Sequence, residues 1–388
     1  MSTETVSSLM DTAIAAVVNT ASSTPSSTLA PQGIVGVYYG GQSYYQPGAF
    51  TGMTPPTETS AFGLGSVTKT FSTAVMGLLG NTKLTEEIGN HVPHQFALQS
   101  SARQWTLSQL AGFCSGLPNY PCPLSFAPKA PGDQPLPHFP EIDNADDARF
   151  LDFINSFIPP MQPGPYIYSD IAIGLAATIA MYHAGFDKFH AEHTLRWWSK
   201  NLFKPLGMVN TGAFDKSGGF NVKGDPLPNL ISGYEYLSPQ GQQAVYSAVP
   251  YQGWCPWGAA GRAYSTCADM LSFVQALVGE TSVNNKPVAS SLTEALTLSL
   301  TPVSPSVYPT NPGGSENPNV TQALAWVVNA SNPNATFASK DGDLAGISSY
   351  VTVCPDLKLG TVILTNMKGV SVGPAADTLT QGLMALAT

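Results

Sequence analysis

"FGLGSVTKTF", Phe62 to Phe71, decides how this chain is read. Two glycines lead into Ser66, and Lys69 stands three residues beyond it. The stretch continues as "STAVMGLLGNTKL", apolar at helical spacing and stopped near Gly80-Asn81. Upstream, "GIVGVYYGGQSYYQPGAF" (Gly33 to Phe50) sets two β-branched and aromatic runs around Gly40-Gly41, a hairpin signal. Ser66 is therefore expected at a strand-to-helix passage, in the first helical turn. A serine hydroxyl is a poor nucleophile until something takes its proton. A lysine three residues on lies on the same helix face, one turn away, with its amine in reach of that hydroxyl. Free backbone N–H groups and the positive helix end suit an oxyanion hole at the same place. The lysine serves as a base only if burial or neighbouring positive charge lowers its pKa. Ser66 and Lys69 form the only Ser-x-x-Lys pair among the chain's twelve lysines. Taken alone, the pair also fits a helix cap beside a solvated lysine.

The 388 residues suffice for about two domains, or one domain with a large insertion. Hydrophobic residues make up 43%, enough to fill a substantial core, while only 11% are charged against roughly 25% in an average soluble protein. The net charge is −9 and no Lys/Arg-rich run occurs, which argues against nucleic acid as a partner. No apolar stretch of about 18 residues is present, so no membrane span is expected. "MSTETVSSLMDTAIAAVVNT" lacks a basic n-region and an apolar h-region, so no signal peptide is expected in it. Low charge with abundant Gly, Pro, Ser and Tyr points towards a secreted protein in mature form, with a cytoplasmic one as the alternative. Sequons at Asn319, Asn329 and Asn334 fall in one loop-like region, at a frequency that so Ser/Thr/Asn-rich a chain reaches by chance. Of five cysteines at least one stays unpaired, and a Cys114–Cys122 bridge across a proline-rich loop is one option. No CxxC or zinc spacing occurs. The His190/His193 and His91/His94 pairs resemble metal ligands only superficially, and no metal or cofactor is implied. A small-molecule substrate and a monomer are the default expectations.

Leu117 to Pro140 holds eight prolines and reads as a long loop. Helical patterns resume at "ADDARFLDFINSF", "SDIAIGLAATIAMYHAGFDKFHAEHTLRWWSKNLF" and "TCADMLSFVQALVG". A Pro/Asn/Gly-rich loop from Pro302 to Asn319 precedes the strand patterns "ALAWVVN", "GISSYVTVC" and "LGTVILTN", and a helix around "AADTLTQGLMALA" closes the chain. Strands at both ends with helices between predict α/β plus α: an antiparallel sheet flanked by helices, residues 1–80 and 275–388, with a mostly helical domain, 81–274, inserted into it.

Two later stretches extend the Ser-x-x-Lys pair. "PGPYIYSDIAIGL" (Pro163 to Leu175) places Tyr168-Ser169-Asp170 at the opening of an apolar helix, and "SKDGDLAGISSY" (Ser339 to Tyr350) places Lys340-Asp341-Gly342 on a strand edge. In order, the three resemble the Ser-x-x-Lys, Tyr-x-Asn and Lys-Thr-Gly motifs of the serine β-lactamase and penicillin-binding superfamily. The likeness is strongest to its class C branch, which also holds family VIII-type esterases, D-aminopeptidases and lovastatin-type acyltransferases. "SGLPNYP", "KPLGMVNTG" and "AAGRAYSTCADM" agree with that branch, so the resemblance spans nearly the whole chain. It implies a β-lactamase/transpeptidase-like fold. It also implies that Ser66 is acylated, that Lys69 takes its proton, and that Tyr168 shuttles a proton to the leaving group. Lys340 would balance charge and lower the pKa values beside it, and the backbone N–H groups of Ser66 and Asp343 would form the oxyanion hole.

Three positions depart from the family pattern. Asp170 stands where Asn is usual, and Asp341 and Asp343 flank Gly342 where hydroxyl residues are common. Family substrates bring a carboxylate to that strand edge. Like charges about 4 Å apart cost roughly 4 kcal/mol at an effective dielectric near 20. A neutral or amine-bearing ester, amide or lactone is thus expected in place of a penicillin or D-Ala-D-Ala peptide, unless the aspartates face solvent or pair with Lys340 or Arg262. Tyr120, Tyr166, Trp254 and Trp257 are candidate pocket aromatics, each equally able to be core. Acyl transfer to an alcohol or amine uses the same residues as hydrolysis, and a non-catalytic acyl-binding role is the contrasting class.

Overall fold

The runs "QGIVGVYY" and "LGTVILT" are apolar almost without a break, as expected of strands covered on both faces. In the computed structural model they are neighbours in one sheet and buried nearly throughout. The structure describes residues 3–20, 32–49, 54–94, 96–119, 147–159, 164–186, 191–215, 218–221, 229–231, 233–236, 243–246, 258–303, 317–344, 346–367 and 372–387.

The predicted hairpin is present: β1 (Gln32–Tyr39) pairs antiparallel with β2 (Gln42–Ala49). Its turn needs two left-handed residues, and Gly40 (φ 58°) and Gly41 (φ 79°) supply them. β3 (Ala61–Gly63) leads to Ser66 and joins a small antiparallel sheet with β4 (Gly212–Asp215), β5 (Gly218–Asn221) and β6 (Ala263–Thr266), in the order β3-β6-β4-β5. The C-terminal strands are β7 (Val320–Gln322), β8 (Val327–Asn329), β9 (Phe337–Leu344), β10 (Ile347–Cys354) and β11 (Leu359–Thr365). They align with the hairpin as β7-β8-β9-β10-β11-β1-β2, every pair antiparallel. Both ends of the chain thus build one seven-stranded sheet flanked by helices, the predicted fold class.

Side chains of a strand alternate between faces, and two cores follow from that. Val35, Val37 and Ile363 meet α1 (Thr3–Thr20) and the C-terminal helix Val372–Ala387 through Val6, Met10, Ile14, Leu379 and Leu383. Ile34, Tyr38, Val362 and Leu364 face the larger core, where the helix Cys267–Leu277 packs on β11 and β1. At the centre of that core lies α2 (Thr68–Met76), buried at every residue. It packs against α3 (Asp170–His183), which is itself buried from Ile171 to Met181, and against the helical turn Gly258–Gly261.

Two elements differ from the sequence expectation. Helix α1 was not anticipated, although Val6, Met10, Ala13, Ile14 and Val17 recur at spacings of three and four. The expected strand "ALAWVVN" shrinks to β8, because its first half bonds to helical segments instead of the sheet. There Leu324 N–H donates to the Ser299 carbonyl (3.2 Å) and Ala325 N–H to the Ala111 carbonyl (2.9 Å), with Ala325 at φ 63°. The proline-rich stretch from Tyr120 onwards lies outside the described residues. Among those described, no helix is long and apolar enough to cross a membrane, and Cys114, Cys267 and Cys354 are buried free thiols.

Candidate active site

Ser66 sits in a tight 3-10 turn, Gly65–Val67, that runs straight into α2. From Ala61 to Gly77 it alone keeps partial exposure, so its hydroxyl is the one group of this buried passage that a ligand reaches. Strand β9 lies directly on the turn, and two glycines make that approach possible. Gly65 has φ +49°, and a Cβ built on it falls 2.7 Å from the Asp343 amide nitrogen. A Cβ on Gly342 falls 2.1 Å from the Leu64 carbonyl oxygen. Ser349 on β10 fastens the contact, its hydroxyl donating to that same carbonyl at 2.8 Å. The amide of Asp343 therefore lies beside the turn that carries Ser66.

Lys69 is wholly buried, and its ammonium has three partners: Ser66 Oγ at 2.9 Å, the Ala260 carbonyl at 2.9 Å and Asp170 Oδ1 at 2.6 Å. Burial drives its pKa down while the Asp170 carboxylate pushes it up, and burial prevails. Asp170 owes its position to the start of α3. Ser169 caps that helix, accepting from Ala172 N–H at 2.9 Å and donating to the Pro118 carbonyl at 2.7 Å. The Asp170 amide donates to Asn119 Oδ1 at 2.9 Å.

Tyr168 lies between two ammonium groups, with Lys69 Nζ 4.8 Å and Lys340 Nζ 5.2 Å from its ring centre. The Ser66 side chain is near enough to lower the pKa of the Tyr168 phenol. Phe113, at φ 61°, supports the ring at 4.8 Å, and the Phe113 carbonyl accepts from Ile167 N–H at 2.8 Å. Lys340 does lower the pKa of Tyr168, as expected of it, but other influences outweigh it. Burial raises it strongly; Lys340 opposes the rise, but Asp170 and Asp341 add to it, so the phenol keeps its proton near neutral pH.

Lys340, 4% exposed on β9, donates to Asp341 Oδ1 at 2.6 Å and to the Asp341 carbonyl at 2.7 Å. That ammonium holds the Asp341 carboxyl below the usual carboxylate range. Asp343 accepts a short hydrogen bond from Ser348 Oγ, its register partner on β10. The two aspartates are therefore not bare charges: one is neutralised by the neighbouring lysine, the other tied across the sheet. Tyr166 packs edge-on against Phe113 at 5.9 Å, and burial, helped by Asp341, pushes its pKa up to about 12. Tyr120, Trp254, Trp257, Cys122, Cys255 and His190 lie outside the described residues. Among the described residues, no group of His, Cys, Asp and Glu side chains is arranged to hold a metal ion.

The structure thus brings Ser66, Lys69, Tyr168, Asp170, Lys340 and Asp341 to one place. Sequence reading missed the groups that hold them: Ala260, Asn119, Phe113 and Ser349. The stretches "AAGRAYSTCADM" and "SGLPNYP" contain two of these, whereas a left-handed phenylalanine leaves no local signal.

A sequence model of the Beta-lactamase family matches residues 25–383. The chain is 26% identical to a Beta-lactamase of Escherichia coli (strain K12) over 367 residues, 86% of this chain and 83% of that protein. Among solved structures, a class C beta-lactamase superposes with a TM-score of 0.71 at 18% identity, covering 98% of this chain and 96% of its own. The class C beta lactamase from Rhodobacter sphaeroides gives 0.67 at 18% identity, covering 97% and 99%.

Proposed function

The chain belongs to the Beta-lactamase family, and from that premise we propose that it is a serine hydrolase that works through an acyl-enzyme on a neutral or amine-bearing ester, amide or lactone. The observation that carries this reading is the partly exposed Ser66, its hydroxyl 2.9 Å from the buried Lys69 amine and near enough to Tyr168 to lower the pKa of that phenol. Ser66 Oγ attacks the acyl carbon as its proton passes to the free-base form of Lys69. The backbone N–H groups of Ser66 and Asp343 receive the developing oxyanion. Tyr168, a phenol near neutral pH, gives its proton to the departing alcohol or amine. The resulting phenolate lies against two ammonium groups, which stabilise it while it waits to take a proton from the incoming water. Water adding to the acyl carbon then releases the acid, and the Lys69 ammonium returns its proton to Ser66 Oγ.

Hydrolysis of a p-nitrophenyl acyl ester series by wild type and Ser66→Ala, with intact-protein mass after mixing, tests the reading. Turnover falling at least about 1,000-fold in the variant, with an acyl adduct on wild type alone, is the expected result. No turnover and no adduct on wild type would overturn it. Adding an alcohol or amine to the same assay separates acyl transfer from hydrolysis, because an ester or an amide, respectively, then forms in place of free acid.

A further inference from the structure

We propose that Asp341 is a built-in occupant of the site's anion-binding end, its carboxylate holding the ammonium that an acidic substrate would need and so selecting acyl groups without a carboxylate. This deepens the serine-hydrolase reading and rests on it. Two ammonium groups flank Tyr168. That of Lys69 is sealed, with Ser66, Ala260 and Asp170 as partners and no exposure. Of the two described ammonium groups at Tyr168, Lys340 is then the one through which the site can recognise a negative group. Its ammonium gives one hydrogen bond to Asp341 Oδ1 at 2.6 Å and another to the Asp341 carbonyl at 2.7 Å. Charge-assisted contacts of this length are the strong kind.

Exposure shows from which side the ammonium is covered. The Lys340 side chain is 3% exposed and that of Asp341 64%, so the member of the pair that faces solvent is the carboxylate. An arriving substrate meets the carboxylate before the ammonium. Each lysine beside the Tyr168 phenol already has its own carboxylate, Asp170 for Lys69 and Asp341 for Lys340. A substrate carboxylate must either expel that of Asp341 or add a third negative charge to a largely buried group. A neutral acyl group does neither.

Occupation differs from general repulsion by acidic residues in what Asp343 does. Its carboxylate is engaged by Ser348 and makes no contact with Lys340 among the bonds seen here. Repulsion assigns both aspartates a share of the selectivity, whereas occupation assigns it to Asp341 alone.

The test uses the full chain and two matched activated esters, p-nitrophenyl valerate and mono-p-nitrophenyl glutarate, which differ by a terminal carboxylate. Each protein is its own reference, through the ratio of kcat/KM for the acidic ester over the neutral one. In Asp341→Asn and Asp341→Ser the ratio is expected to rise about tenfold or more, the change that about 1.4 kcal/mol produces. In Asp343→Asn it is expected to stay within about twofold of wild type. A ratio that does not move in either Asp341 variant overturns the proposal, as does an equal rise in Asp343→Asn. Wild type that neither turns over nor is acylated by the neutral ester removes the hydrolase reading, and this inference with it. Turnover with an unmoved ratio removes the inference alone.

Discussion

Lys69 shows how one residue's environment sets its chemistry. The helix dictates that it stands near Ser66, but what it can do there depends on two opposed influences that arrive from elsewhere in the chain. Burial favours the neutral amine, and the Asp170 carboxylate 2.6 Å away favours the ammonium. Asp170→Asn removes the second and keeps the first. The pKa of Lys69 then falls further, and the free amine needed to deprotonate Ser66 is present at lower pH. The rise of kcat/KM with pH is accordingly expected to move to lower pH in Asp170→Asn, and a pH–rate profile on a neutral p-nitrophenyl ester checks it. A rise that stays put, or moves upward, would show that Lys69 does not govern it. The local spacing made Ser66 and Lys69 legible in the sequence. The Asp170 carboxylate was legible only as a departure from a motif, since nothing in residues 163–175 says which lysine it meets.

At the scale of elements, the site depends on how closely β9 approaches the turn before α2. That distance is set by the absence of side chains at Gly65 and Gly342, with backbone atoms on the other side of each contact. Gly342→Ala would place a methyl group 2.1 Å from the Leu64 carbonyl oxygen, a backbone atom that cannot turn aside as a side chain can. Overpacking of this kind costs about 1–3 kcal/mol. The expected outcome is a lower urea midpoint together with a larger loss of kcat than of ester binding, because the Asp343 amide is carried away from Ser66. Unchanged stability and kcat would mean that β9 does not need to touch the turn. Both glycines were visible in the motifs, but their reason was not: it lies in the packing of Gly65 on Asp343 and of Gly342 on Leu64, which no window of sequence spans.

For the molecule as a whole, the hairpin near the N-terminus and the strands near the C-terminus close one sheet, and α1 locks against the C-terminal helix across its outer face. Ile14, 6% exposed, packs in this second core, on the opposite side of the sheet from α2. Ile14→Ala is expected to cost about 2–4 kcal/mol by lost burial and a cavity, measured as a shift in the denaturant midpoint. The kcat of the folded fraction should remain that of wild type. A large kcat loss in protein shown to be folded would mean that the second core also positions the site.

The sequence by itself determined the strands and helices whose periodicity is local and strong, the Ser66–Lys69 pair one turn apart, and, through the order of three motifs, which tyrosine and lysine to add. Those signals are legible because helix and strand spacings are properties of neighbours along the chain. Only the tertiary structure decided that α1 forms and where it packs, that "ALAWVVN" bends away from the sheet, and what each acidic residue of the site does. Asp170 meets Lys69 because α3 packs on α2, and Asp343 meets Ser348 because the β9–β10 register sets them opposite each other. Asp341 turns to Lys340 at the solvent-facing edge of β9. Three carboxylates that look alike in the sequence are thereby given three different partners, because a charge takes its partner from what the fold brings within hydrogen-bonding distance.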